Sequence, residues 1–261
     1  GGQDLIFPHH ENEIAQSEAA TGKELARFWV HNGFVQVNAE KMSKSLGNFS
    51  TIRDILADYL PETLRFFLLT KQYRSPIDFT PENMEDAEKN LRRIYQAKAD
   101  MAAAVAGTKW SKAPLPAELL AELAAAESDW AKAMDDDLNT AAALGHVFTL
   151  VRLAGRVAED KALRKAEAAR DLWARCLQDL DDWGTVLGLF SAEPAAFLAD
   201  LKAVRARRKG IDPAKVESLL AARQEARKAK DFAKSDALRD ELLDMGVEVK
   251  DTPAGPAWDV A

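Results

Sequence analysis

The apolar and polar positions divide the chain near residue 80. Before it, apolar residues come in short runs; after it, the pattern is almost wholly helical. Leu5-Ile6-Phe7 is an apolar patch ahead of Pro8, which pre-sets a helix over 9–21 that stops at Gly22. Trp29-Val30 and Phe34-Val35-Gln36-Val37 flank Asn32-Gly33, the pattern of a strand-turn-strand hairpin. A polar stretch covers 41–48. Ser50 or Thr51 then caps a helix through Tyr59, and Pro61 opens another to Thr70. Thr80-Pro81-Glu82 is a cap with proline at the first helical position. Helices are expected over 81–106, 116–133, 138–158, 161–189 and 193–208, then 213–230 and 232–245. Val247-Glu248-Val249 alternates as a short strand, and 251–256 reads as a turn leading to Trp258.

At 261 residues the chain has room for two domains and a small third. Its 47% hydrophobic and 30% charged residues are ordinary for a globular protein. The single cysteine, Cys176, excludes an internal disulfide or a CxxC…CxxC zinc site and fits a reducing, cytoplasmic setting. No run of about 18 apolar residues is present, so no membrane span is expected. Residues 1–13 carry Asp4, Glu11 and Glu13 and no basic start, unlike a secretion signal. The chain opens on Gly1-Gly2 amid dense motifs, so the expectation is the rear part of something longer. A net charge of -7 argues against nonspecific coating of nucleic acid. Residues 205–234 nevertheless hold ten Lys/Arg against four Asp/Glu, a local +6. That stretch is either a phosphate-facing stripe or a solvated helix face with i,i+4 pairs.

Two clusters carry candidate chemistry. In His9-His10-Glu11-Asn12-Glu13, His9 and Glu13 share one helix face and could offer an imidazole and a carboxylate to one metal ion. The bland alternative is a polar helix start with acids near the positive dipole end. In Lys41-Met42-Ser43-Lys44-Ser45, two lysines and two hydroxyls precede Gly47, a cationic loop suited to a polyphosphate.

That five-residue string resembles the signature of the class I aminoacyl-tRNA synthetases. Gly2 through Glu13, Tyr73-Arg74-Ser75-Pro76-Ile77-Asp78-Phe79, Met134-Asp135-Asp136-Asp137-Leu138-Asn139-Thr140 and the tail from Lys230 to Pro253 resemble the cysteinyl-tRNA synthetase family, in family order. The resemblance implies a mostly α chain. A Rossmann-type catalytic remnant (1–40) would be followed by the signature loop and stem-contact region (41–110). A helical bundle (111–192) and a small α+β anticodon-binding domain (193–261) would complete it. It implies ATP-dependent joining of cysteine to tRNA-Cys through cysteinyl-adenylate, with Mg²⁺ accompanying ATP and zinc selecting the thiol. His9 and Glu13 match two zinc ligands; two family cysteines lie upstream of residue 1. Lys44, assisted by Lys41, matches the ATP-contacting lysine, with Met42, Ser43 and Ser45 lining the nucleotide. Arg227, Asp236 and Asp251 match anticodon readers. The family's His-Ile-Gly-His motif is absent from this stretch, so the chain alone is expected to be inactive. A monomer without membrane attachment is expected. The alternatives are the related cysteine ligase of thiol biosynthesis and a non-catalytic tRNA-binding fragment.

Overall fold

The computed structural model describes residues 1–37, 40–41, 50–107, 109–252 and 255–261. The chain is mostly helical and forms two compact units. The first comprises Gly1–Ile52 and Pro61–Pro194; the second comprises Arg53–Leu60 and Ala195–Ala261.

In the first unit, α1 (Glu11–Thr21) ends as expected at Gly22, whose φ of 65° closes the helix in the left-handed region. The hairpin expected at Asn32-Gly33 does not form. Strand β1 (Val35–Val37) pairs antiparallel with β2 (Glu40–Lys41) and parallel with β3 (Ile77–Asp78), giving the order β2-β1-β3. Gly33 serves another purpose: a Cβ there would lie 2.4 Å from the Ser75 carbonyl oxygen. The glycine is needed for close backbone approach, not for a positive φ, and its N–H donates to the Tyr73 carbonyl at 2.8 Å.

Five helices build the bulk of this unit: α3 (Pro61–Leu69), α4 (Pro81–Val105), α5 (Ala117–Asp135), α6 (Thr140–Glu159) and α7 (Glu167–Leu187). Local chemistry sets their ends. The Thr80 hydroxyl accepts from Asn83 N–H ahead of Pro81, Asn139 accepts from Ala142 N–H, and α7 stops at Gly188 with φ 67°. Helix α6 is long and apolar enough, by length and composition, to cross a membrane. Ala143, Leu144, Val147, Leu150, Val151, Leu153, Ala154 and Val157 on it are buried, which makes it the central core helix of this unit. Trp130 and Trp183 stack at 5.0 Å, and Trp173 donates to the Ala154 carbonyl. Cys176 is buried here, and burial pushes its thiol up to about 12. It behaves as a small packed hydrophobe.

In the second unit, α2 (Ile52–Asp58) accompanies α8 (Pro194–Arg208), α9 (Pro213–Lys228) and α10 (Phe232–Asp244), and β4 (Val247–Thr252) pairs antiparallel with β5 (Gly255–Val260). Strand pairing extends into the stretch expected as a turn over 251–256. Asp251 and Thr252 pair with Pro256 and Gly255, and a two-stranded ribbon tolerates proline at its edge. Val247, Trp258 and Val260 close a core with Ala206, Ile211, Val216, Leu220 and Leu242. Trp258 is therefore a core residue. Its indole N–H donates to Glu217 at 2.6 Å, and Lys202 Nζ sits 3.6 Å from the ring centroid.

Candidate functional site

Glu13 lies in the first turn of α1 and His9 in the helical turn just before it, with His9 Nε2 3.6 Å from Glu13 Oε1 and both side chains at least half exposed. An imidazole nitrogen and a carboxylate oxygen converging on open solvent fit two positions of a tetrahedral zinc site. Among the described residues no cluster of three or more His, Cys, Asp or Glu is arranged to hold a metal. The neighbouring His10 points elsewhere. Its Nδ1 lies 2.8 Å from His31 Nε2, and the His31 ring lies parallel to Trp29. Partial desolvation, and then His10, hold the His31 pKa below its usual value.

Lys41 lies in β2, opposite Gln36. Met42, Ser43, Lys44 and Ser45 lie outside the described residues.

The anticodon candidates meet in the second unit. Asp251 on β4 accepts from two arginines of α9: Arg223 Nη1 at 2.9 Å and Arg227 Nη1 at 2.5 Å. Positions 223 and 227 are one helical turn apart, so both guanidinium groups reach one carboxylate. These bonds, Arg223 first, hold the Asp251 carboxyl down at about 2. Asp236 on α10 is exposed, and its charge adds to the field at Arg223. The contribution of the pair is present above the usual carboxylate range and is lost as pH falls towards 2. Asp251→Asn should accordingly flatten the acid limb of the second unit's melting profile between pH 4 and pH 2. Equal acid sensitivity in both proteins would contradict the pairing.

The +6 stretch is largely committed inside its own unit. Arg223 is nearly buried on Asp251. Arg205 is 6% exposed, with Nη2 donating to the Ala261 carbonyl, and Lys209 reaches the same carbonyl. Of the ten basic residues, Arg205 and Arg223 are buried and so do not face a phosphate. Sequence counting recorded Arg223 as charge alone; its spacing from Arg227 was the available signal.

A further cluster joins two sequence motifs. At the α5–α6 corner, Asp137 and Leu138 both adopt positive φ, near 52° and 54°. That turn aims the Asp137 carboxylate at Tyr73 Oη (2.8 Å) and Arg74 Nε (2.8 Å), while Gln72 Nε2 donates to it as well. The Arg74 carbonyl in turn accepts from Gln3. Such strained residues persist where surrounding contacts over-determine them.

The comparisons with known proteins follow the same order along the chain. The family model of the class I (C) tRNA synthetase catalytic domain matches residues 1–89, the DALR domain matches 129–191, and the cysteinyl-tRNA ligase anticodon binding domain matches 213–258. The chain is 65% identical over 260 residues to a cysteine–tRNA ligase of Maridesulfovibrio salexigens and 67% identical over 261 residues to one of Oleidesulfovibrio alaskensis. The chain belongs to the cysteinyl-tRNA synthetase family. A cysteine–tRNA ligase of Lawsonia intracellularis is 46% identical over 260 residues. Each alignment takes in 100% of this chain and 54% of the relative, so the chain spans about half the length of these family members. A crystal structure of an Agrobacterium radiobacter K84 LeuRS in ternary complex with tRNA and LeuAMS matches with a TM-score of 0.52. It covers 75% of this chain and 28% of its own at 18% identity, a likeness of fold.

Proposed function

We propose that the protein carrying this chain is an ATP-dependent cysteine–tRNA ligase, acting in the cytoplasm as a monomer on cysteine, ATP with Mg²⁺, and tRNA-Cys. The observation that carries the reading is the ordered match of catalytic, DALR and cysteinyl-type anticodon domains over residues 1–258, at 65% identity to a named ligase. The anticodon-domain match counts against a cysteine ligase that attaches its product to a sugar, because such an enzyme has no anticodon to read.

In this reading residues 1–40 close the catalytic domain, 41–110 carry the signature and contact the tRNA stem, 111–192 form the bundle, and 193–261 bind the anticodon. His9 and Glu13 supply two zinc donors. Zinc, when bound, selects a thiolate where serine would offer a poorer hydroxyl ligand. Lys44 and Lys41 neutralise charge that accumulates on the leaving pyrophosphate, and Met42, Ser43 and Ser45 line the nucleotide. Arg227, held through Nη1 by Asp251, keeps its other N–H groups for base acceptors; Asp236 and Asp251 offer acceptor oxygens to unstacked bases.

Leu5, Ile6, Phe7, Leu25, Phe28, Trp29, Val30 and Val35 all lie exposed in the first 35 residues. So dense an apolar surface is expected of a segment that packs against further catalytic-domain sequence. The 261-residue chain alone should show no cysteine-dependent ATP–pyrophosphate exchange, whereas the full-length protein should exchange and charge tRNA-Cys. Robust exchange by the chain alone would sink the incomplete-site reading, and a full-length protein that fails to charge would sink the ligase reading. Filter binding should favour tRNA-Cys over an anticodon variant; equal affinity would count against Arg227, Asp236 and Asp251.

A further inference from the structure

The α5–α6 corner keeps two consecutive residues, Asp137 and Leu138, in the left-handed region, and neither is a glycine. Burial does not offset the strain, since Leu138 is 52% exposed. A strained surface turn persists when other contacts fix it, and here they converge on one carboxylate. Asp137 Oδ2 lies 2.8 Å from Arg74 Nε, and Oδ1 accepts from Arg74 Nη2 at 3.1 Å, a two-point grip. Tyr73 Oη donates to Oδ1, and Gln72 Nε2 donates both to Oδ2 and to the Asp137 carbonyl. The two aspartates beside it, Asp135 and Asp136, are exposed and have no side-chain partner among the described residues.

All of these residues belong to the first unit, as does the segment they hold in turn. Tyr73 and Arg74 bind Asp137 with their side chains and the start of the chain with their carbonyls. The Tyr73 carbonyl accepts from Gly33 N–H at 2.8 Å, and the Arg74 carbonyl accepts from Gln3 Nε2 at 3.2 Å. Asn32, next to Gly33, donates its N–H to the Gly1 carbonyl and accepts from Gln3 N–H. His31 meets His10 at 2.8 Å, and His10 adjoins His9. No residue from 1 to 33 is buried, so hydrogen bonds rather than packing locate this segment within the chain. The bonds therefore run from the bundle corner, inside the DALR match, to the stretch of the catalytic-domain match that carries His9 and Glu13.

We propose that Asp137 is a positioning residue for the thiol-selecting site: through Tyr73 and Arg74 it sets the place of the Gly1–Gly33 segment, and with it the two zinc donors His9 and Glu13. The proposal rests on the zinc reading above. It gives the strained corner a purpose, since the left-handed turn aims this one carboxylate, of three in a row, at Tyr73 and Arg74.

The test uses the full-length protein and the variant D137N. Asparagine tolerates the left-handed turn and keeps one acceptor oxygen, but it loses the charge and the two-point grip. Zinc affinity, read by competition with a chelator, should fall about 10-fold, the low end of the cost of altered support around a metal ligand. The KM for cysteine in ATP–pyrophosphate exchange should rise by about the same factor, while the KM for ATP stays within about twofold. R74A should behave alike, and the double variant should be no worse than the worse single one. D136N removes a charge from the same turn and should keep wild-type values. Unchanged zinc affinity and cysteine KM in D137N overturn the proposal. So does an equal rise in the KM for ATP, which would make Asp137 a residue of the general fold. Additive losses in the double variant, or a D136N that matches D137N, overturn it as well. If D137N does not fold, Y73F reads the same quantities: about threefold losses support the proposal, and wild-type values overturn it. A wild-type protein that holds no zinc fails the zinc reading itself, a result distinct from a zinc-bound protein indifferent to D137N.

Discussion

Lys98→Met is expected to destabilise the first unit by about 2–3 kcal/mol, the loss of a buried charge-assisted hydrogen bond with its partners left behind. Lys98 is 6% exposed on α4, and its ammonium donates to the Phe190 carbonyl at 2.6 Å and to Asp181 at 2.7 Å. Asp181 is 60% exposed and stays solvated without its partner, which keeps the expected loss below that of a fully buried pair. Phe190 itself sits in a tight corner. Its φ of 61° is unusual for a bulky residue, and its N–H donates to Glu62 at 2.7 Å while its ring meets Tyr95 edge-on. Gly184 admits this corner, since a Cβ there would lie 2.5 Å from the Leu189 carbonyl oxygen. Glu62 also accepts from Tyr95 Oη, whose pKa burial and the adjacent carboxylate raise. Burial raises the pKa of Glu62, and the Lys98 charge partly offsets that rise. A raised carboxyl pKa costs stability as pH climbs through it, so removing Lys98 should cost more at pH 8 than at pH 5. Urea unfolding at the two pH values checks both points. A loss under about 1 kcal/mol, or a larger loss at pH 5, would refute the account.

The helices were legible in the sequence wherever their ends carry local chemistry. Thr80-Pro81, Asn139, Asp212 and Asp231 act as caps whose side chains accept from nearby backbone N–H groups, and Gly22 and Gly188 end helices at positive φ. Such signals need only a few neighbouring residues. The errors came where a distant partner decides. Asn32-Gly33 has the composition of a hairpin turn, but Gly33 is required by Ser75, over forty residues away. The Asp251–Pro256 segment has turn composition, yet strand pairing runs through most of it. The approach of His9 to Glu13 was readable from spacing, because the two lie only four residues apart on neighbouring helical turns. The one-turn spacing of Arg223 from Arg227 is visible in the sequence, but their shared carboxylate, Asp251, sits on a strand and is not. Nor is the bonding of Arg207 and Arg208 to the Ala57 and Asp58 carbonyls, which joins positions about 150 residues apart. Charge counting leaves these arginines as either a phosphate-facing stripe or a solvated helix face, whereas several of them hold the protein's own backbone and carboxylates.

In the full-length protein, Lys44→Ala is expected to lower cysteine-dependent ATP–pyrophosphate exchange by about 10²- to 10³-fold, the scale for deleting one preorganised group that stabilises transition-state charge. In the proposed reaction the carboxylate of cysteine attacks the α-phosphorus, the bond to the bridging oxygen breaks, and pyrophosphate leaves with added negative charge. An ammonium placed against that charge interacts more strongly in the transition state than with bound ATP, so the loss should fall on kcat more than on the KM for ATP. Arginine should not substitute fully, because its planar fork differs in shape and reach from a compact point charge. His9→Ala should behave differently. It removes a proposed zinc donor, so bound zinc should fall and the KM for cysteine should rise, while Lys44→Ala should keep its zinc. Parallel measurement of exchange kinetics and metal content in the two variants separates the roles. Exchange within about tenfold of wild type in Lys44→Ala would remove that lysine from the nucleotide site. Loss of zinc in Lys44→Ala would mean that the substitution had disturbed the whole catalytic domain, and the kinetic loss could then not be assigned to charge.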